Sequence, residues 1–148
     1  MEVNMNGEEI KITLKKYNLQ SWSKQKNINP ISVEKASGIY FWDYEGNRYT
    51  DMSSQLVNLN LGFANEEIGD AIKAQVDKFC FIGPSYGAES RAKLAKKIID
   101  LMPDNMGKVF FTNAGAEANE NAIKIARMYT GRYKIFSRYR SYHGSSFG

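Results

Sequence analysis

The stretch from Val109 to Phe136 limits the choice of fold more than any other part of the chain. Val109-Phe110-Phe111 is a continuous apolar run, as expected of a strand buried on both faces of a parallel sheet. Thr112-Asn113-Ala114-Gly115-Ala116 is small and polar, and Ala118, Ala122, Ile125, Ala126 and Tyr129 then recur on one helical stripe. Gly131 stands where a capping glycine closes such a helix. Tyr133-Lys134-Ile135-Phe136 reads as the next strand. Strand, helix and strand in that order predict a parallel unit with a right-handed crossover, and so an α/β fold class.

Upstream the pattern is different. The spacing predicts a short polar helix over about Glu8 to Tyr17. Aromatic and β-branched residues (Ile39-Tyr40-Phe41-Trp42 and Arg48-Tyr49-Thr50) flank a loop containing Gly46, which predicts a hairpin with a bulged turn in a small antiparallel sheet. Ile68, Ile72, Val76 and Phe79 fall on one helical face, and Leu94, Ile98 and Leu101 on another that Pro103 stops. Phe81 to Tyr86 reads as a loop, because Gly83 and Pro84 punctuate it. We expect an N-terminal segment over 1–60 and a second domain beginning at 61–148.

Composition narrows the function classes. Apolar residues are 43% and charged residues 24% of 148, the balance of a globular protein. No apolar run is long enough to span a bilayer, so no membrane partner is expected. The N-terminus lacks the apolar core of a secretory signal, and the single cysteine, Cys80, cannot pair internally; a cytoplasmic setting is the expectation. Net charge is +4, with a local cluster of Arg132, Lys134, Arg138 and Arg140. It reads as a solvated face, and no nucleic acid is expected. His143 is the only histidine, so no two-histidine metal site can form within the chain and no metal is expected.

In a parallel unit the turn at Asn113 to Ala116 and the Tyr142-His143-Gly144 segment reach the same sheet edge, where open α/β sheets bind ligands. Helix-start amides lack intrahelical acceptors and carry partial positive charge. Small residues at Ala114, Gly115 and Ala116 would let an anion approach those amides. The same residues also suit a tight turn with no ligand. Tyr142 could stack on a flat ring or cap the core, and His143 could simply bond backbone. The turn is neither a Walker A loop nor a dinucleotide fingerprint.

Taken together, Phe110-Phe111-Thr112-Asn113-Ala114-Gly115-Ala116-Glu117-Ala118-Asn119-Glu120, Thr130-Gly131-Arg132 and Tyr142-His143-Gly144 resemble the class III (omega-amino acid) aminotransferases of the fold type I family. Gly38 to Asp43, Gly46, Asp51 and Leu61-Gly62-Phe63 extend the resemblance over nearly the whole chain. It implies the N-terminal part of a fold type I pyridoxal-phosphate-dependent transferase: a small antiparallel sheet, then the incomplete start of a large, mainly parallel-sheet domain.

The same resemblance implies pyridoxal 5'-phosphate as cofactor, with the Gly115 and Ala116 amides on its phosphate. Tyr142 would stack on its ring, while His143 and Gly144 shape that turn. Trp22 and Gln55 would line the substrate entrance, and the Phe81 to Tyr86 loop would reach toward a partner subunit in a homodimer. The implied reaction moves an amino group from an amine or omega-amino acid to a 2-oxo acid, closest to taurine, β-alanine or 4-aminobutyrate enzymes.

Two positions depart from the family pattern. Ala116 stands where many members have serine, and Phe63 where histidine is common. No catalytic residue is expected here, since the Schiff-base lysine lies well downstream in the family; Lys108 and Lys124 read as surface residues. The isolated chain is therefore expected to be inactive. Two alternatives are a non-enzymatic module binding a phosphorylated ligand and a truncated remnant without function.

Overall fold

Asn6 opens the first helix, α1 (Gly7–Tyr17), by a reciprocal cap: its side chain accepts from the Glu8 and Glu9 amides, and Glu9 accepts from the Asn6 amide at 2.9 Å. The computed structural model describes residues 5–146. These fall into two compact units, Met1–Phe81 and Ile82–Gly148.

In the first unit a three-stranded antiparallel sheet runs β1 (Val33–Ser37), β2 (Tyr40–Asp43) and β3 (Arg48–Thr50), in that order. The predicted hairpin is β2 and β3, with Gly46 at φ +83°, a conformation that side chains resist. Helix α1 lies against the hairpin. The buried Ser32 hydroxyl donates to the Gly7 carbonyl at 2.7 Å, and a Cβ on Gly7 would come 2.8 Å from that of Tyr44.

The turn is held by one buried carboxylate. Asp43 accepts from the Glu45 and Asn47 amides, the Asn47 side chain and the Tyr49 hydroxyl at 2.8–3.1 Å. Burial pushes its pKa up, but these donors outweigh burial and hold it below the ordinary carboxylate value. Phe63 joins the sheet through a two-way backbone bridge to Gly38 and packs edge-on against Phe41, 6.3 Å between ring centres. An apolar contact therefore occupies the position where the family commonly has histidine.

Between β3 and the next long helix the backbone makes one left-handed turn, α2 (Ser54–Val57), with φ of +48° to +66° at four consecutive non-glycine residues. Such a turn costs roughly 1–2 kcal/mol per residue, most acutely at β-branched Val57. Local bonds offset that cost. Asp51 accepts from the Ser53 amide and hydroxyl, Asn58 donates to the Gln55 carbonyl at 2.9 Å, and the Leu59 amide donates to the Ser54 carbonyl. The Ser53 amide is the main reason the Asp51 carboxyl also lies below its ordinary pKa.

Helix α3 (Glu66–Lys78) carries the predicted Ile68, Ile72 and Val76 face and is capped by Asn65; Phe79 is its C-cap residue. In the second unit, α4 (Glu89–Ile99) ends ahead of Pro103, and α5 (Gly115–Thr130) is closed by Gly131 at φ +67°. Both helices match the periodicity, although Leu101 lies in the turn beyond α4.

The expected parallel pairing does not form. Neither Val109-Phe110-Phe111 nor Tyr133 to Phe136 belongs to a strand, and the three antiparallel strands are the only ones among the described residues. The physical reason is a missing ladder: a parallel strand needs a neighbouring strand to bond with, and the two apolar runs pair neither with each other nor with any other described segment. Phe110 and Phe136 accordingly remain 69% and 92% exposed.

The sign of the Asp43 shift sets an acid limit on the hairpin. A depressed carboxyl stabilises fully above its unfolded value of about 4, and the contribution is lost as pH falls through the folded value. Unfolding followed by tryptophan fluorescence should show the parent losing stability in that acid range. Asp43→Asn should start less stable and lose less over the same range; equal acid sensitivity in both would refute the assignment.

Candidate functional site

The first turn of α5 is open at its start. Ala114, extended at φ −153° and ψ 159°, is the N-cap residue and offers no side-chain cap, so the amides of the first turn have no acceptor within the helix. Thr112 donates to the Ala114 carbonyl at 3.1 Å, and Glu117 reaches back to accept from the Asn113 amide at 3.0 Å. The carboxylate thus serves the residue ahead of the helix and leaves the Gly115 and Ala116 amides at the mouth.

Onto this end comes the Tyr142-His143-Gly144 segment. A Cβ on Gly144 would lie 2.8 Å from the Ala116 Cβ, 3.1 Å from its Cα and 3.9 Å from its amide nitrogen. Gly144 itself adopts φ +109°, open to glycine and resisted by other residues. Two further bonds follow the same helix face. Asn119 Nδ2 donates to the His143 carbonyl at 2.7 Å, and the Ser146 hydroxyl donates to Glu120 Oε1 at 2.9 Å. Residues 116, 119 and 120 share one face of a helix by their spacing. The returning segment therefore runs along that face, beside a cleft of about 390 Å³ lined by Asn119, Ile123, Phe136 and His143.

Ala116, His143 and Gly144 are thus brought together, and Gly115 and Tyr142 adjoin them in the chain. The Tyr142 side chain is 76% exposed. Trp22 and Gln55 lie in the first unit, Trp22 exposed at φ +55° and Gln55 inside the left-handed turn. Lys108 and Lys124 are both exposed, and so are Arg132, Lys134, Arg138 and Arg140. Asn119 and Glu120 were not singled out as site residues. Their partners lie 24 and 26 residues away, so only their helical spacing from Ala116 hinted at a shared face.

The profile of the family Aminotransferase class-III matches residues 21–148. Glutamate-1-semialdehyde 2,1-aminomutase of Heliobacterium modesticaldum is 40% identical over 123 residues, covering 82% of this chain and 27% of that protein. Acetylornithine aminotransferase of Archaeoglobus fulgidus is 34% identical, covering 90% of this chain and 34% of its own length. Among solved structures, taurine:2-oxoglutarate aminotransferase from Bifidobacterium kashiwanohense, in complex with PLP and glutamate, superposes with a TM-score of 0.92. It is 56% identical over 99% of this chain and 32% of that one.

The chain belongs to the class III aminotransferase family, whose members are pyridoxal-phosphate enzymes of fold type I. It spans between about a quarter and a third of the length of the relatives it matches.

The residues present fit such a cofactor. An uncapped helix start lined by glycine and alanine can take a phosphate, and Gly144 approaches Ala116 so closely that any side chain at position 144 would clash there. Gly144→Ala should therefore lift the segment from α5, at a cost on the order of 1–3 kcal/mol. Amide exchange at 143–146 should quicken, while Gly87→Ala, with open space around it, should leave exchange there unchanged. Equal protection in parent and Gly144→Ala would show that the close approach is not what holds the segment.

Proposed function

We propose that this chain supplies the phosphate-binding half of the cofactor site in a class III transaminase that moves an amino group from an amine or omega-amino acid to a 2-oxo acid. The observation that carries the reading is the seating of Gly144 on Ala116. It sets the Tyr-His-Gly segment against the open start of α5 in a chain of this family. Pyridoxal phosphate, when bound, supplies an aldehyde that takes up the amino group and a ring that withdraws electrons from it.

The Gly115 and Ala116 amides donate to the phosphate oxygens. Tyr142 covers one face of the ring and keeps water from it, and His143 and Gly144 shape the turn that carries Tyr142. Trp22 and Gln55 line the substrate entrance from the N-terminal segment 1–60, and 61–148 begins the cofactor-binding domain. The Phe81 to Tyr86 loop reaches toward the partner subunit of a homodimer working in the cytoplasm. The 56% identity to a taurine:2-oxoglutarate enzyme favours a taurine-like or omega-amino donor.

No lysine of this chain is placed for the covalent step, so the 148-residue chain alone is proposed to be inactive. Turnover by the purified chain, or a borohydride-trapped pyridoxyl group on Lys108 or Lys124, would contradict that.

The phosphate contact is tested by Gly115→Pro in the whole protein that carries this chain. Proline at the first helical position removes one amide hydrogen yet keeps the helix. Ala114 already has the extended backbone a following proline demands. Loss of one donor to a charged group should weaken pyridoxal phosphate binding about tenfold or more with helix content retained, and Tyr142→Ala should weaken it too. Unchanged affinity in both variants would overturn the reading.

A further inference from the structure

The start of α5 and the Tyr142 segment are 26 residues apart in sequence, between Ala116 and Tyr142, and a ligand can use both only if something holds them in register. Three contacts do so, and they differ in kind. Gly144 on Ala116 is a steric fit, which permits the approach but does not fix it along the helix axis. The Ser146–Glu120 bond lies beyond the segment, on its far side from Tyr142. Asn119 Nδ2 donates to the His143 carbonyl at 2.7 Å, a polar contact that grips the main chain at the residue following Tyr142.

A mid-helix asparagine is otherwise a poor choice, since its side chain competes for backbone bonds and lowers helix propensity. Here it sits one turn after Ala116 on the same face. Its amide group donates to the His143 carbonyl across the turn. An alanine would suit the helix better and would forfeit that bond.

We infer that Asn119 is a positioning residue: through the His143 carbonyl it sets where the Tyr142 ring stands relative to the Gly115 and Ala116 amides. This rests on the cofactor reading above and adds to it a division of labour, with the helix start binding the phosphate and Asn119 governing the ring. Asn119 need not touch the ligand.

The division gives a test with separate readouts, made in the whole protein that carries this chain with its cofactor removed. Two variants are used: Asn119→Ala, which deletes the amide, and Asn119→Asp, which keeps its shape and replaces the donor by an acceptor. Pyridoxal phosphate, inorganic phosphate and amide exchange at 142–145 are the three probes. Both variants should exchange faster at 142–145 and bind pyridoxal phosphate about fivefold to tenfold more weakly, the size of one hydrogen bond's net contribution. Visible circular dichroism of the bound cofactor should fall as its ring loses a fixed orientation. Inorganic phosphate should bind both variants as it binds the parent.

Exchange and pyridoxal phosphate affinity unchanged in both variants would overturn the role of Asn119 while leaving the parent's cofactor binding intact. So would full ring dichroism in Asn119→Asp. A parallel loss of inorganic phosphate binding would also count against it, since the helix start itself would then have been disturbed. Failure of the parent to bind pyridoxal phosphate is a different result, and it would remove the functional reading together with this one.

Discussion

A glycine pressed against the second residue of a helix is the constraint on which the rest of the candidate site depends. Gly144 can reach Ala116 only because it lacks a Cβ and tolerates φ +109°. Once it is there, the geometry of an α-helix does the remaining work. Positions 116, 119 and 120 point the same way, so a chain seated on the first finds donors and acceptors from the others at hydrogen-bond distance. The absence of a side chain at Gly144 serves the returning backbone, and that at Gly115 would serve the anion of the proposed function at the helix mouth.

Packing contributes less than is usual for a chain of this size. Accessible surface totals 13489 Å², whereas the scaling of folded proteins gives about 7,700 Å² for this mass. Ala88 is the one buried apolar residue among those described, and the predicted apolar faces of α3, α4 and α5 stand largely open. What holds each unit is therefore local: caps, the Asp43 cluster, the Asp51 and Asn58 bonds and the contacts along α5. Apolar faces of this extent are made to be covered. That agrees with a chain spanning between about a quarter and a third of its relatives' length.

This explains which parts of the fold were legible in the sequence. The hairpin was readable because its signals are short-ranged: alternating aromatics, Gly46 and a turn whose carboxylate bonds lie within six residues. The helices were readable from periodicity, which survives whether or not the apolar face finds a partner. The parallel ladder was not. Its strands announce themselves by composition, but pairing depends on a neighbouring strand, and the two apolar runs pair with no described segment. The left-handed turn at Ser54–Val57 left no composition signal either, because it contains no glycine. Only the side chains beside it, Asp51, Ser53 and Asn58, could have told of a backbone held by local bonds against its steric preference.

The candidate site was legible in its parts and not in its joinery. Small residues at 114–116 and an aromatic at 142 suggested a ligand, yet each had an ordinary explanation, and the parallel unit from which their meeting was expected does not form among the described residues. The contact that joins them runs from a helix-interior asparagine to a main-chain carbonyl, and a carbonyl carries no sequence signature at all. Glu117 carries a similar lesson. As an acidic residue in a first turn it looks like a stabiliser of the helix and a competitor for an anion. In the structure it turns back to Asn113, so its charge caps the segment leading into the helix and the two amides ahead of it stay at the mouth. In the proposed function, binding there would rest on the direction of two N–H groups at a helix start that has no side-chain cap.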